Sequence, residues 1–164
     1  MTLDQVNSLD PTAFVEAFGD IAEDTPWVAA GAALSRPYDS RAAMVDAFQA
    51  AVSNASRADQ EALIRAHPDL AGRAMLAPAS RDEQAGAGLD SLSADELARF
   101  TTLNRHYRAK FRFPFILAVK GASKHQILDT FAARIDGGRE EEFLTALAQV
   151  MRIIRFRLED RIDG

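Results

Sequence analysis

Three places in this 164-residue chain carry side chains able to move a proton or grip a polar ligand. The first is His67, in Arg65-Ala-His67-Pro68-Asp69-Leu70-Ala71-Gly72, where a helical pattern runs into a proline. Pro68 restricts the backbone of the residue before it, which predicts a fixed stem and an exposed imidazole ring. An unperturbed imidazole titrates near ~6.5, which suits proton transfer close to neutrality. The plain alternative is a helix-end histidine meeting the last carbonyls. The His67-x-Asp69 pair also leaves open an iron facial triad completed by His106 or His125. No helical spacing brings either of those to the pair. His125 reads as a surface residue and His106 as a satisfied mid-helix side chain.

Glu83-Gln84 is the second place. Glu83 stands three residues after Ser80, the spacing of a capping box, so its plain role is to close a helix start. A carboxylate there stays ionised in the field of the helix dipole and can hold a histidine tautomer or accept ligand N–H groups. Gln84 offers a donor and an acceptor in one amide, which matches a urea-like edge. Gly86 and Gly88 follow inside the same predicted helix, where glycine costs ~1 kcal/mol relative to alanine and suggests close approach of another element. The third place is Arg157. On a helical wheel it lies between Val150 and Ile153 at the rim of an apolar stripe, whereas Arg152 and Arg155 point elsewhere. There it is either a snorkelling or ion-paired side chain or a clamp for an anionic ligand.

The elements that must position these residues read as helices. Alanine is abundant, and apolar residues recur at spacings of three and four. Asp10-Pro11 is an N-cap with proline at the first helical position, Phe14, Val15 and Phe18 form the stripe, and Gly19 is the stop. A short helix over Trp27 to Leu34 follows Pro26. Ser40 opens another, with Met44, Val45, Phe48 and Val52 on one face. Ser56 opens a fourth, which breaks at Pro68. Ser80-Arg-Asp-Glu83, Ser93-Ala-Asp-Glu96 and Ser123-Lys-His-Gln126 are capping-box patterns. Gly137-Gly138 ends the helix begun at Ser123, and a last helix runs from about Arg139 to Arg161. Two stretches depart from this pattern. His67 to Ala79 is a loop. Phe111 to Gly121, containing Phe113-Pro-Phe-Ile116, is an apolar extended segment with no second strand to pair with, so its backbone polar groups need other partners.

Composition narrows the function. With 19 basic and 24 acidic residues the net charge is −5, unlike the basic balance usual in nucleic-acid binders. The absence of cysteine excludes disulfides, thiolate nucleophiles and cysteine metal sites. No apolar run nears the ~20 residues that cross a bilayer, the first residues do not form a signal peptide, and the last are not a peroxisomal signal. These features predict a cytoplasmic protein without nucleic-acid or membrane partners. The length predicts one domain over residues 1–164, able to bury ~70% of the surface of its unfolded chain.

The motifs, taken in order, carry a resemblance. His67-Pro-Asp-Leu-Ala-Gly72 is followed by Ser80-x-x-Glu83-Gln84-x-x-Ala87-Gly88-Leu89. Then comes Leu103-Asn104-x-x-Tyr107-x-x-x-Phe111-x-Phe113-Pro114-Phe115-Ile116. Each motif is weak alone, but the ordered set resembles the 2-oxo-4-hydroxy-4-carboxy-5-ureidoimidazoline (OHCU) decarboxylase family across essentially the whole chain. One departure is Arg112, where that family often has glycine.

The resemblance implies an all-α, single-domain helical bundle with its ligand between helices and the Phe-Pro-Phe-Ile segment, and a homodimer. It implies conversion of OHCU to (S)-allantoin and carbon dioxide, within urate degradation, without metal or organic cofactor. The carbon that loses carbon dioxide adjoins a C=N bond able to accept the released electrons, so the substrate acts as its own electron sink. The protein's task is then to bind, orient and move protons. By resemblance His67 is the acid/base residue, with Glu83 beside it. Glu83 and Gln84 bind the ureido and ring polar groups, and Arg157 binds the opposite end of the ligand. Backbone groups around Phe115 and Ile116 hydrogen-bond the ligand, and Pro68 and Ser80 complete the contacts. A non-catalytic helical bundle, with Glu83 only capping and His67 only structural, is the competing reading from the residues themselves.

Overall fold

The computed structural model describes residues 1–72 and 78–164. Residues 73–77, in the middle of the predicted His67–Ala79 loop, lie outside the described residues. Among the described residues there are nine α-helices and no strand, so the all-helical expectation holds. By compactness they fall into two units, residues 1–66 with 150–164, and residues 67–149.

The first unit contains α1 (Leu3–Ser8), α2 (Pro11–Phe18), α3 (Pro26–Ala33), α4 (Arg41–Ser53) and α5 (Arg57–Ala66), with the C-terminal part of α9 (Arg139–Arg161). The expected starts are present. The Asp10 carboxylate accepts from Ala13 N–H, with Pro11 opening the helix, and Ser40 Oγ accepts from Ala43 N–H. α1 escaped the sequence reading, although Thr2 and Gln5 form a reciprocal capping box. α3 packs on both α2 and α4. Gly31 permits the approach to α4, since a Cβ there would sit 3.1 Å from the Ala51 Cβ. Phe14, Phe18, Tyr38 and Phe48 form one aromatic cluster, with Phe14 and Phe18 centroids 4.9 Å apart.

The second unit contains α6 (Pro78–Gly86), α7 (Ala94–Phe111), α8 (Lys124–Arg134) and the N-terminal part of α9. Ser93 with Glu96 and Ser123 with Gln126 both make the predicted reciprocal capping boxes. Buried Phe100, Tyr107, Phe111 and Phe131 form the centre of this unit. Residues Phe113 to Val119 are almost wholly buried and join neither a helix nor a strand; the predicted run from Phe111 to Gly121 is shortened at both ends, since Phe111 closes α7 and Lys120-Gly121 form a turn.

Two local expectations are corrected. Ser80 does not cap α6: the helix already begins at Pro78, so Ser80 lies within its first turn and Glu83 further along it. Proline is preorganised for the first helical position, which places the start ahead of the serine. Nor do Gly86 and Gly88 sit side by side in a helix interior. α6 ends at Gly86, and Gly88 takes φ +80 in a left-handed stop. Its N–H donates to the Ala85 carbonyl at 3.0 Å, and Leu89 N–H donates to the Gln84 carbonyl at 2.9 Å. Among the described residues nothing lies within 4 Å of a Cβ built at either glycine.

Candidate active site

His67 follows directly on α5 at the turn into Pro68. Its side chain is buried, only 5% exposed, where the sequence suggested an exposed ring. The loop that carries it is clamped from α6 and α7. The Gln84 Oε1 accepts from Ala71 N–H at 2.9 Å, and the Gln84 Nε2 donates to the Asp69 carbonyl at 3.4 Å. Asn104 Nδ2 donates to the Leu70 carbonyl at 2.9 Å. Arg108 Nε donates to the Asp69 carboxylate at 2.8 Å. Ala71 is held in the left-handed region at φ 56, a conformation that a non-glycine residue adopts only when its surroundings enforce it. The loop is thus preorganised by its backbone groups. Gln84, read as a ligand contact, also has a defined role as the tie between this loop and α6.

α7 supplies a second support from the same face. Asn104, Tyr107, Arg108 and Phe111 follow the i, i+3, i+4, i+7 spacing of one helical stripe. Asn104 and Arg108 hold the His67 loop. Tyr107 packs edge-on against Phe113 at 5.9 Å and Phe115 at 5.4 Å. One helix therefore supports both the loop and the Phe113–Ile116 segment.

That segment leaves α7 through Arg112, which adopts φ 64 and ψ 22 at the helix C-cap and donates its N–H to the Arg108 carbonyl. A left-handed residue at a helix end is the usual station of glycine. This accounts for the glycine that the family often carries there, and the geometry survives with arginine in its place. Further on, Arg134 donates to the Ile116 carbonyl at 2.6 Å, and its guanidinium lies 4.4 Å over the Phe115 ring. The Phe115 ring stacks on Phe131 at 3.8 Å with an interplanar angle of 7°. The Ala118 N–H donates to the Gln149 Oε1 at 3.0 Å. Side chains thus satisfy backbone groups that a sheet would otherwise have paired.

Arg134 is in turn held by Glu142, whose carboxylate takes its Nη2 at 2.9 Å and its Nε at 3.1 Å. The Tyr107 hydroxyl donates to the same carboxylate at 2.5 Å. Burial, and next the Glu142 carboxylate, push the Tyr107 hydroxyl above its ordinary range, so it remains a proton-bearing donor.

Of the sequence-predicted residues, Ser80 and Gln84 are buried on α6, Glu83 is half-buried on the same helix, and Pro68 is half-buried beside His67. Phe115 and Ile116 are buried in the extended segment. Arg157 belongs to the other unit. There it is 5% exposed, donating to the Ile21 carbonyl at 3.1 Å and to the Glu23 carboxylate at 2.9 Å. It is a buried, ion-paired residue and not one on a rim. Arg134, Glu142 and Arg108 were not foreseen, and Asn104 stood only among the motif residues, without a role. A basic residue in a last helical turn and an acidic one in a first turn read as ordinary dipole partners. Only the spacing of Asn104 and Arg108 with Tyr107 signalled a shared face.

Among the described residues no three of His, Asp and Glu gather closely enough to hold a metal ion, so the triad of His67, Asp69 and His106 or His125 is not assembled. His106 and His125 are both exposed. Asp69, Ala71, Gly72, Asn104 and Arg108 line a cavity of ≈ 530 Å³ beside the clamp. His67, Glu83, Gln84, Phe115 and Ile116 are not among its lining residues.

Comparison with known proteins settles the kinship. The OHCU decarboxylase family profile matches residues 7–159. The chain belongs to the OHCU decarboxylase family. A decarboxylase of that family from Haloferax volcanii, named for 2-oxo-4-hydroxy-4-carboxy-5-ureidoimidazoline, is 46% identical over the whole of this chain and 98% of its own length. A crystal structure of (S)-allantoin synthase superposes with a TM-score of 0.82 at 31% identity, covering 99% of this chain and 54% of that one. A crystal structure of OHCU decarboxylase in the presence of (S)-allantoin gives a TM-score of 0.73 at 19% identity, with 89% of this chain and 96% of that one covered, a likeness of fold. The family resemblance carried by the ordered motifs is therefore correct.

Proposed function

We propose that this chain decarboxylates OHCU to (S)-allantoin and carbon dioxide in urate degradation, without metal or organic cofactor. The observation that carries the reading is the near-full-length similarity to the Haloferax volcanii decarboxylase. The geometry supports it: a buried histidine on a clamped loop, beside a helix bearing Glu83 and Gln84, is suited to directed proton transfer. Loss of carbon dioxide breaks the bond between a ring carbon and its carboxylate. The electron pair moves toward the adjoining C=N bond, whose nitrogen takes up the charge. That nitrogen takes up a proton, the hydroxyl on the carbon that lost carbon dioxide gives up its own as that carbon becomes a carbonyl, and a proton adds to the neighbouring ring carbon, which becomes the stereocentre.

His67 is the acid/base residue in this reading. Glu83 and Gln84 take the ureido and ring N–H and carbonyl groups, and Pro68 and Ser80 complete the wall. The Ile116 carbonyl is engaged by Arg134, so the N–H groups around Phe115 and Ile116 are those assigned to the ligand. The reading extends to a homodimer acting in the cytoplasm, checked by sedimentation and cell fractionation. Among the described residues no helix is long and apolar enough to cross a membrane.

The test uses OHCU generated freshly from urate, which decays unaided to racemic allantoin. The protein speeds the decay and delivers one enantiomer, and does so after exhaustive chelation. His67→Asn loses the rate gain, about 100- to 10,000-fold for a positioned acid/base group. Racemic product at the rate of the no-protein control refutes the decarboxylase reading. A fast and stereoselective His67→Asn removes His67 from the role while leaving the activity.

A further inference from the structure

We propose that Arg134, locked by Glu142 and Tyr107, is a positioning residue that sets the backbone of the Phe113–Ile116 segment against the ligand. The inference rests on the reading above for the identity of that ligand. Arg134 and Glu142 stand outside the motifs that carry the family resemblance, whereas Tyr107 stands within them.

An extended buried run outside a sheet has no ladder to fix its carbonyls and amides. Here one guanidinium reaches three things at once. It hydrogen-bonds the Ile116 carbonyl at 2.6 Å, lies 4.4 Å over the Phe115 ring and pairs with Glu142. A planar fork can face a ring while its edges donate in two directions, which a lysine ammonium cannot reproduce. The guanidinium is itself immobilised. The side chains of Arg134 and Glu142 are 12% and 4% exposed, and Tyr107 adds a further donor to the carboxylate. Tyr107 also touches Phe113 and Phe115, so the same residue fixes both the anchor and what it holds. The Phe115 ring also stacks on Phe131.

A purely structural ion pair would set stability and nothing else. A positioning residue moves the kinetic constants of the folded protein as well. Arg134→Lys keeps a cation near Glu142 but loses the ring contact and the reach to Ile116. The expected result is a fall in kcat/KM of about 100-fold, the scale of an ångström-level misplacement, with a lower enantiomeric excess and an unchanged helical spectrum. Tyr107→Phe retains the Arg134–Glu142 pair and removes one hydrogen bond. It lowers kcat/KM by about tenfold, and it decides the matter if Arg134→Lys does not fold. Wild-type kcat, KM and enantiomeric excess in the folded variants, whatever their melting temperatures, overturn the proposal.

Amide hydrogen exchange separates this inference from the reading it rests on. In Arg134→Lys, or in Tyr107→Phe if the former does not fold, exchange at Ile116, Leu117 and Ala118 accelerates while α7 and α8 stay protected. If the wild type proves inactive on OHCU, the functional reading fails and the exchange result alone decides the positioning. Unchanged exchange at those three amides overturns it.

Discussion

Arg157→Ala removes the cation from a pair in which both side chains are nearly excluded from water, at 5% and 7% exposure. The Glu23 carboxylate would then lose the Arg157 Nη2 at 2.9 Å, in a residue that already holds φ 50. The Ile21 carbonyl, in a fully buried residue, would lose the Arg157 Nη1 at 3.1 Å. Breaking a buried pair from one side costs about 3–5 kcal/mol, chiefly through the charge left behind. The lost carbonyl bond adds about 1 kcal/mol. The sum is about 4–6 kcal/mol, a large share of the ~5–15 kcal/mol that holds a domain together. At roughly 2–4 °C per kcal/mol for a chain of this size, Tm falls by about 8–24 °C. Thermal melts and urea titrations followed by circular dichroism measure it. Glu23→Gln/Arg157→Met, which removes both charges, recovers most of the loss. A single variant that melts within about 2 °C of wild type refutes the reasoning, as does a double variant no better than the single one. Calorimetric titration with (S)-allantoin, well below the melt, separates the other role. Unchanged affinity in folded Arg157→Ala leaves Arg157 purely structural, and lost affinity restores it as a ligand clamp.

Glu83→Gln weakens ligand affinity by about 10- to 100-fold, the range of a hydrogen bond to a charged group. Unchanged affinity in the folded variant contradicts this. The Ser93 backbone N–H, and then Lys124, hold the Glu96 carboxyl at about 2, down from 4.5. A depressed carboxyl stabilises the fold above its unfolded value and loses that contribution as pH falls through the folded value. The melting difference between wild type and Glu96→Gln therefore persists at neutral pH, shrinks below about 4.5 and is gone below about 2; a difference independent of pH over that window is the contrary result. Arg112→Gly relieves a left-handed residue of about 1–2 kcal/mol against about 0.5–1 kcal/mol of added chain entropy. The net gain of about 0–1.5 kcal/mol raises Tm by up to about 6 °C, and a fall shows that Arg112 makes contacts outweighing its backbone cost.

Much of this fold is local, and local features are legible in sequence. Asp10-Pro11, Ser40, Ser93 with Glu96 and Ser123 with Gln126 mark helix starts because each cap bonds a backbone group only a few residues away. α9 was legible over its whole length from the spacing of its apolar face. The ordered motifs also disclosed the family, and the lack of strand pairing after Pro114 was recognisable, although Phe111 belongs to α7 and Lys120-Gly121 form a turn. Where a local rule failed, another local signal won: Pro78 started α6 before Ser80 could cap it.

What sequence spacing could not decide was partnership across the chain. Arg134 and Glu142 sit in a last and a first helical turn, where charges are commonplace, and only the fold brings the Ile116 carbonyl and the Tyr107 hydroxyl to them. A helical wheel placed Arg157 on a rim because it records angle about one helix. Burial depends on what packs over that angle, and Ile21 and Glu23, far away in sequence, close over the guanidinium. The same holds for His67. Pro68 explains its position at a helix end, but its burial is not a property of spacing, and the hold of Gln84, Asn104 and Arg108 on its loop arises from contacts 13 to 39 residues apart. Backbone preferences act over a few residues and can be read from them, whereas desolvation and pairing belong to the packed chain.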